Sequence, residues 1–410
     1  MIANGLNLEF RASTRQRSSL PLVLVLCTLA LSVTASADEP TIITLDAPDA
    51  GTGPGAFISN PFGGPPLFYP QGTFPYGIND SGAIGGNFQD AHNVLHGFLR
   101  TPEGEFITFD APGAGSGPAQ GTQGFAISPK GVVVGKTFDA NQAQHGMLGT
   151  REGTVIVFDA PGAGTAAFQG TIAESVNAEG AITGNYTDAS GATHAFLRAP
   201  DGHIATIDPP AGTGPFTPFA FPCLADCLTE EGAIVGVYGD AAGLVHGFLR
   251  SPDGDFTKID VSGAVGGTAA SGINAEGTIV GGYIDANGVN RGFLRARDGT
   301  ITKFDVPSAG TGAGQGTIIF FASINAEGDV TGDYLDANAV THGFVRDHRH
   351  GAITTFDAPG AAGGTEPISN NAANAITGYY LDASGVGHGF LRTGHRCSQE
   401  GEDSERCRGE

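Results

Sequence analysis

The sequence predicts an all-β protein, a seven-bladed β-propeller. Three observations carry that prediction: a repeat of about 49 residues, the strand pattern inside each copy, and an offset between the first and last copies. The repeat is counted by its fixed points. A His-Gly-Phe-like segment starts at His96, His145, His194, His246, Arg291, His342 and His388. An Asp precedes each one, at Asp90, Asp139, Asp188, Asp240, Asp285, Asp336 and Asp382. A second Asp closes a run of the ITxFDAP kind, at Asp46, Asp110, Asp159, Asp208, Asp260, Asp305 and Asp357. Periods of this length belong to propellers and arrays, whose units cannot bury their apolar faces alone.

Within a copy the pattern is that of short strands and tight turns. The clearest copy, 270–306, reads ASGINAEGTIVGGYIDANGVNRGFLRARDGTITKFDV. Strands are predicted over Ser271–Ala275, Thr278–Ile284, Arg291–Arg295 and Thr300–Val306. Gly277, Gly288 and Gly299 supply the positive φ that the intervening turns need, and Asp caps such turns through its own carboxylate. No stretch after residue 37 holds a convincing helical period. Apolar residues fall on both strand faces: Ile279 and Tyr283 point one way, Val280 and Ile284 the other. A sheet with one wet face alternates cleanly, whereas a sheet stacked between neighbours does not.

Closure is predicted from the chain ends. The long Gly-rich connections follow the DAP run, at 111–122, 160–171 and 307–317, so they are the crossovers between units. The INAEG strand is then innermost and the ITxFD strand outermost. The last copy has three strands, around Ile368, 376–381 and 388–392, and no fourth. The segment 41–46 (TIITLD) is an orphan fourth strand that would complete it and remove two sheet edges.

These units resemble the bacterial extracellular HAF repeats, named for a His-Ala-Phe signature. His194-Ala195-Phe196 matches it literally, and the other copies read HGF, HGM at His145 and RGF at Arg291. The resemblance covers roughly residues 41–392. It implies an exported repeat protein and carries no activity or site residues with it.

The ends of the 410-residue chain read differently. Residues 1–37 have a basic segment (Arg11, Arg15, Arg17), a short apolar core over 20–33 and small residues at 35–37, the pattern of a secretory signal. The expected location is therefore secreted, extracellular or periplasmic. Cys27 follows Leu26 in a poor lipoprotein box, so no lipid anchor is expected. Residues 38–392 form the predicted propeller, and 393–410 a polar, mobile tail. The net charge of −22 repels nucleic acid and anionic lipid. No later run is long enough for a membrane helix, and a monomer is expected. Cys223 and Cys227, and Cys397 and Cys407, read as two short-range disulfides in an exported chain. Zinc fits less well, because no His stands at ligand spacing beside either pair.

The Asp and His present in every copy invite a catalytic or metal-binding reading. A pair present in every unit is better explained as holding every unit, and Arg291 in place of His suits a structural donor. Oxygen-rich loops at the crossover end make calcium the one ion to consider. No copy has the ligand density of a dedicated calcium loop, so no cofactor or metal is assigned.

Function is expected where copies break the pattern. Unit one carries an insertion over 56–72 with Phe57, Phe62, Phe68 and Tyr69. Unit four carries one over 212–228 with Phe216 and Phe219 beside the Cys223/Cys227 pair. Both precede an innermost strand, so these aromatics are candidate ligand contacts, or a plug of the channel. Glu174 and Glu230–Glu231 are the non-repeated carboxylates near innermost strands. G-x-S-x-G, H-E-x-x-H and P-loop patterns are absent from the sequence. The sequence thus points to a binding or scaffold module without evident catalysis. The runner-up is a hydrolase or lyase acting on polysaccharide at the propeller mouth, and a purely structural surface repeat is a third reading.

Overall fold

The computed structural model describes residues 40–58, 67–209, 220–222, 227–240 and 242–393. Among them every regular element is a strand. The expected signal segment, the polar tail, Phe62, Phe216, Phe219, Cys223, Cys397 and Cys407 lie outside the described residues.

The repeat becomes a four-stranded antiparallel unit. In unit one the strands are Gly72–Ile78, Ile84–Gln89, Leu95–Arg100 and Phe106–Phe109, each paired with the next. Units two and three start at Gly121–Ile127 and Gly170–Val176, and units four to six at Ala220–Pro222, Thr268–Ile273 and Gly316–Ile324. Unit seven has Thr365–Asn370, Ile376–Leu381 and Gly387–Arg392. Its fourth strand is Ile42–Leu45, which pairs antiparallel with Gly387–Arg392 in the register Ile42↔Arg392 to Leu45↔Gly389.

The predicted strands shift in one respect. In unit five the first strand spans Thr268–Ile273 rather than Ser271–Ala275, and the INAEG residues form the turn. The Asn274 side chain accepts from the Thr278 N–H at 2.9 Å, so this Asn caps the turn instead of extending the strand.

The same Asn also ties units together. Its side-chain amide donates to a main-chain carbonyl of the next unit: Asn79 to Ser128, Asn177 to Thr229, Asn274 to Asn325, Asn325 to Asn371, and Asn371 to Asn79. Hydrophobic clusters fill the spaces between successive units. Tyr283 and Ile279 join the cluster with Val235 and Ile259 of unit four, while Val280 joins Ile319 and Val330 of unit six. The two-faced strand predicted from sequence is thus sandwiched on both sides. Between unit seven and unit one, Leu45 and Ala47 pack with Ile78, Ile84, Phe88 and Phe98, and Leu391 lies against them.

Gly starts the first strand of most units for a steric reason. Gly72 has φ +126°, and a Cβ there would sit 1.9 Å from the Gly387 carbonyl oxygen of unit seven. Gly170 is the same, with φ +118° and the Gln144 oxygen at 1.9 Å. These are the points where adjacent sheets come within main-chain hydrogen-bonding distance, as in Gly387↔Gly72.

Candidate functional site

The repeated polar residues satisfy one another. His246 Nδ1 lies 2.6 Å from Asp260 Oδ1, and its Nε2 lies 3.1 Å from Asp240 Oδ2. The other Asp240 oxygen accepts the main-chain N–H groups of Ala242 and Leu244, closing the turn. The imidazole rests on Tyr238, with centroids 5.4 Å apart. In unit five Arg291 spans the same two acids, with Nε to Asp285 and Nη1 to Asp305, both at 3.0 Å. The Asp110 hydrogen bond raises the His96 pKa. This is the structural role expected of the Asp and His series. The fourth-strand Asp is the second half of each clamp, a partnership that sequence spacing did not suggest.

The chemistry that differs between units lies deeper, on the two inner strands. The second strands share an Ile or Val, then x-Gly-x, then Tyr in five units with Phe88 and Thr137 in its place in units one and two. The position after the Gly varies: Asn87, Lys136, Asn185, Val237, Gly282, Asp333 and Tyr379. Each pairs across to an equally variable first-strand residue, including Phe74↔Asn87, Gln123↔Lys136 and Glu366↔Tyr379. The adjoining rung is nearly constant, as in Thr171↔Tyr186, Thr268↔Tyr283 and Thr365↔Tyr380. Its Thr hydroxyls accept main-chain N–H groups, such as Ala160 on Thr171. One rung therefore builds the scaffold, and the rung beside it is free to vary.

A β-bulge adds a second variable position. The ladder skips one residue between Pro75 and Gly77, Gly124 and Ala126, and Ala173 and Ser175. The skipped residues are Tyr76, Phe125 and Glu174. A bulge bends its strand and re-aims the extra side chain, a device found beside active sites.

These positions assemble into an arc over four units. Tyr76 meets Phe125 edge-on at 5.6 Å and Tyr379 at 6.3 Å, while Phe74 meets Tyr379 at 5.2 Å. The Tyr379 hydroxyl donates to Glu366. The Lys136 ammonium lies 5.6 Å from the Phe125 centroid and 4.6 Å from that of Phe138. Glu174 is 4% exposed; its Oε1 accepts from Asn185 Nδ2 at 2.7 Å, and its Oε2 has no hydrogen-bond partner. Asn87, 2% exposed, also leaves its Oδ1 unpartnered.

Burial sets the electrostatics. Dehydration pulls the Lys136 pKa down to about 8, against the opposing influence of Glu174. Dehydration pushes Glu174 well above the usual carboxylate range, opposed by Lys136 and Asn185. Asp333 rises for the same reason, reinforced by the nearby Glu366. Tyr76 and Tyr379 are held as neutral phenols, chiefly by burial.

Of the residues predicted from sequence, Phe57 and Phe68 form a tilted pair, centroids 4.8 Å apart at 38°, on the short hairpin Ala56–Ile58/Leu67–Tyr69. Both are exposed, at 71% and 45%. Tyr69 is half-buried and close enough to Tyr76 to help raise its pKa. Glu174 belongs to the arc. Glu230 and Glu231 do not: both are exposed, and Glu230 accepts the Ala178 N–H of unit three as a turn cap. Cys227 is buried in the cluster between units four and five. Asp329, Asp347 and His348 bring ligand-type atoms within 4.8 Å of one another. Asp329 there already accepts His348 N and lies 2.7 Å from its Nδ1.

No family model matches the chain, and no curated protein matches it in sequence. Its backbone is similar to solved structures. A catalytically inactive virginiamycin B lyase from Staphylococcus aureus, with quinupristin, aligns with TM-score 0.52 and 16% identity, over 86% of this chain and 99% of that one. A streptogramin B lyase aligns with TM-score 0.52 and 14% identity, over 86% and 98%. A puromycin hydrolase aligns with TM-score 0.50 and 12% identity, over 86% of this chain and 58% of its own. At such identities the likeness is one of fold, and the fold is that of β-propeller proteins.

Proposed function

We propose that this chain is an exported propeller of seven blades, closed by its N-terminal strand, that binds a ligand at the variable arc. The observation that carries the reading is the contrast between adjacent rungs. One repeats Thr and Tyr and is consumed by the scaffold, while the next rung and the bulge beside it vary from unit to unit and leave the buried Asn87 and Glu174 oxygens unpartnered. An unpaired buried acceptor costs about 1–3 kcal/mol, a cost that a bound donor removes.

Support for closure comes from Ile42–Leu45 on the last unit, the Asn371 to Asn79 bond and the Leu45 cluster. Support for export comes from the composition of residues 1–37 and the HAF resemblance. The Cys223–Cys227 pair fits the same compartment, and intact-mass measurement before and after reduction tests it.

A thermal-shift screen tests binding, comparing the wild type with the Tyr76→Ala/Phe125→Ala double variant. Ligands that stabilise the folded state raise Tm by mass action. A shift in the wild type that vanishes in the variant supports the arc, and one that survives locates binding elsewhere. Export is tested by fractionation and N-terminal sequencing, with uncleaved cytoplasmic protein the contrary result.

The second reading, a hydrolase or lyase, is favoured by one observation. Lys136 and Glu174 have pKa values displaced in opposite directions within one site, as acid–base chemistry needs. Product formation from a bound ligand, abolished by Lys136→Met, separates enzyme from binding module.

A further inference from the structure

We infer that the ligand of the arc is an electrically neutral, hydroxyl-rich ring with a flat apolar face, a saccharide pyranose seated across units one to three. This rests on the ligand-binding reading above and names its chemistry.

The argument runs through the unsatisfied atoms. Glu174 Oε2 and Asn87 Oδ1 are buried without partners. The Lys136 ammonium faces aromatic rings and makes no ion pair or hydrogen bond to oxygen among the described residues. The site therefore offers the Asn87 acceptor, a Glu174 carboxyl whose burial favours the neutral form that both donates and accepts, and one cationic donor, around the faces and edges of Tyr76 and Phe125. A ligand ammonium satisfies the oxygens but is repelled by Lys136. A carboxylate or phosphate satisfies Lys136 but sets lone pairs against the Asn87 Oδ1 and brings a second acidic group beside Glu174. A hydroxyl group both donates and accepts, so neighbouring hydroxyls bridge Lys136 to Glu174 without a charge conflict. The C–H face of the same ring covers the aromatic surface. Rings stacked so, with polar groups fixing orientation, are the general make-up of small-ligand sites.

The hairpin extends the site. Tyr69 lies beside Tyr76, and the same hairpin carries the exposed Phe57–Phe68 pair. A second aromatic platform next to the arc suits a ligand of several linked rings rather than one.

Saturation-transfer NMR on the full chain tests this with neutral probes (cellohexaose, mannohexaose, xylohexaose, maltohexaose and N-acetylchitohexaose), an anionic one (hexagalacturonate) and a cationic one (chitosan hexamer). The expected result is binding of at least one neutral probe, with saturation strongest on ring C–H protons. Affinity falls about tenfold in Lys136→Met and in Phe125→Ala, about 1.4 kcal/mol each. Phe57→Ala weakens the hexamer and leaves the corresponding disaccharide unchanged. Should the core variants fail to fold, the wild type with 13C-methylated lysines gives a second readout, in which the Lys136 methyl resonance moves on adding the neutral probe.

Binding confined to a charged probe and lost in Phe125→Ala overturns the neutral class and leaves the arc as the binding site. Neutral binding indifferent to Phe125→Ala and Lys136→Met overturns both. No binding of any glycan overturns the saccharide inference, while the double-variant thermal screen continues to judge the arc on its own.

Discussion

Removing three carbons from Leu45 is predicted to cost as much as a mutation deep in a core, although Leu45 stands near the start of the described chain. Leu45 is 5% exposed and packs with Ile78, Ile84, Phe88 and Phe98 of unit one, against Leu391 of unit seven. Among the described residues its strand pairs only with Gly387–Arg392. Leu45→Ala opens a cavity on the seam between the two units, and such truncations cost about 3 kcal/mol. Unfolding entropy near the midpoint is about 2.1 cal/mol/K per residue, so a fold of roughly 350 residues loses about 4 °C of Tm. Ile43, on the same strand, is 47% exposed. Ile43→Ala is expected to move Tm by less than about 1 °C. Thermal unfolding followed by circular dichroism measures both. A Leu45→Ala melt within about 1 °C of wild type, or equal losses from the two variants, refutes the argument that this strand seals the seam.

Three further predictions follow from the same geometry. His96→Ala destabilises most at low pH within the neutral-to-acid range. The folded pKa of His96 is raised, so its contribution is fully present below the unfolded value and is lost as pH rises through the folded one. Melts of wild type and variant across pH should converge on the alkaline side, and a constant gap contradicts the clamp. In 13C-methylated protein, Lys136 should titrate near 8, and a titration at the ordinary lysine value of about 10.4 contradicts its dehydrated setting. Gly170→Ala should cost more than about 3 kcal/mol, because it combines a disfavoured φ with a main-chain collision. Gly153→Ala, at φ +78° with nothing within 4 Å of the added carbon, should cost only about 1 kcal/mol by denaturant unfolding.

Much of the fold was legible because its causes are local and repeated. Gly at each turn, Asp as its cap and two-faced strands such as Ile279–Ile284 recur often enough to be read through noise. The orphan strand at 42–45 was legible because the last copy lacked its fourth strand. The INAEG segment was misread because Ile273 continues a strand while Asn274 caps a turn, and hydrophobicity alone does not mark where one becomes the other.

The arc was largely illegible. Lys136, Asp333 and Tyr379 occupy one column of the aligned repeats, and that variation was available. Variation of this kind ordinarily marks a solvated surface, and only the folded chain places the column inside. The bulges at Tyr76, Phe125 and Glu174 insert a residue without changing the hydrophobic pattern, so Glu174 drew notice as a lone carboxylate and its aromatic neighbours did not. The aromatic insertion was found for the converse reason, since Phe57 and Phe68 interrupt the repeat outright.

The meeting of Thr41 and Thr393 has a topological consequence. The Thr393 N–H donates to the Thr41 carbonyl at 2.9 Å, and the Thr41 N–H reaches the Thr393 hydroxyl at 3.2 Å. A short peptide bridging these two residues would let the chain be opened in any crossover instead, such as the one between Asp305 and Gln315. Circular permutants of that kind would turn the present seam into an ordinary covalent joint and move the vulnerable join to a place of choice.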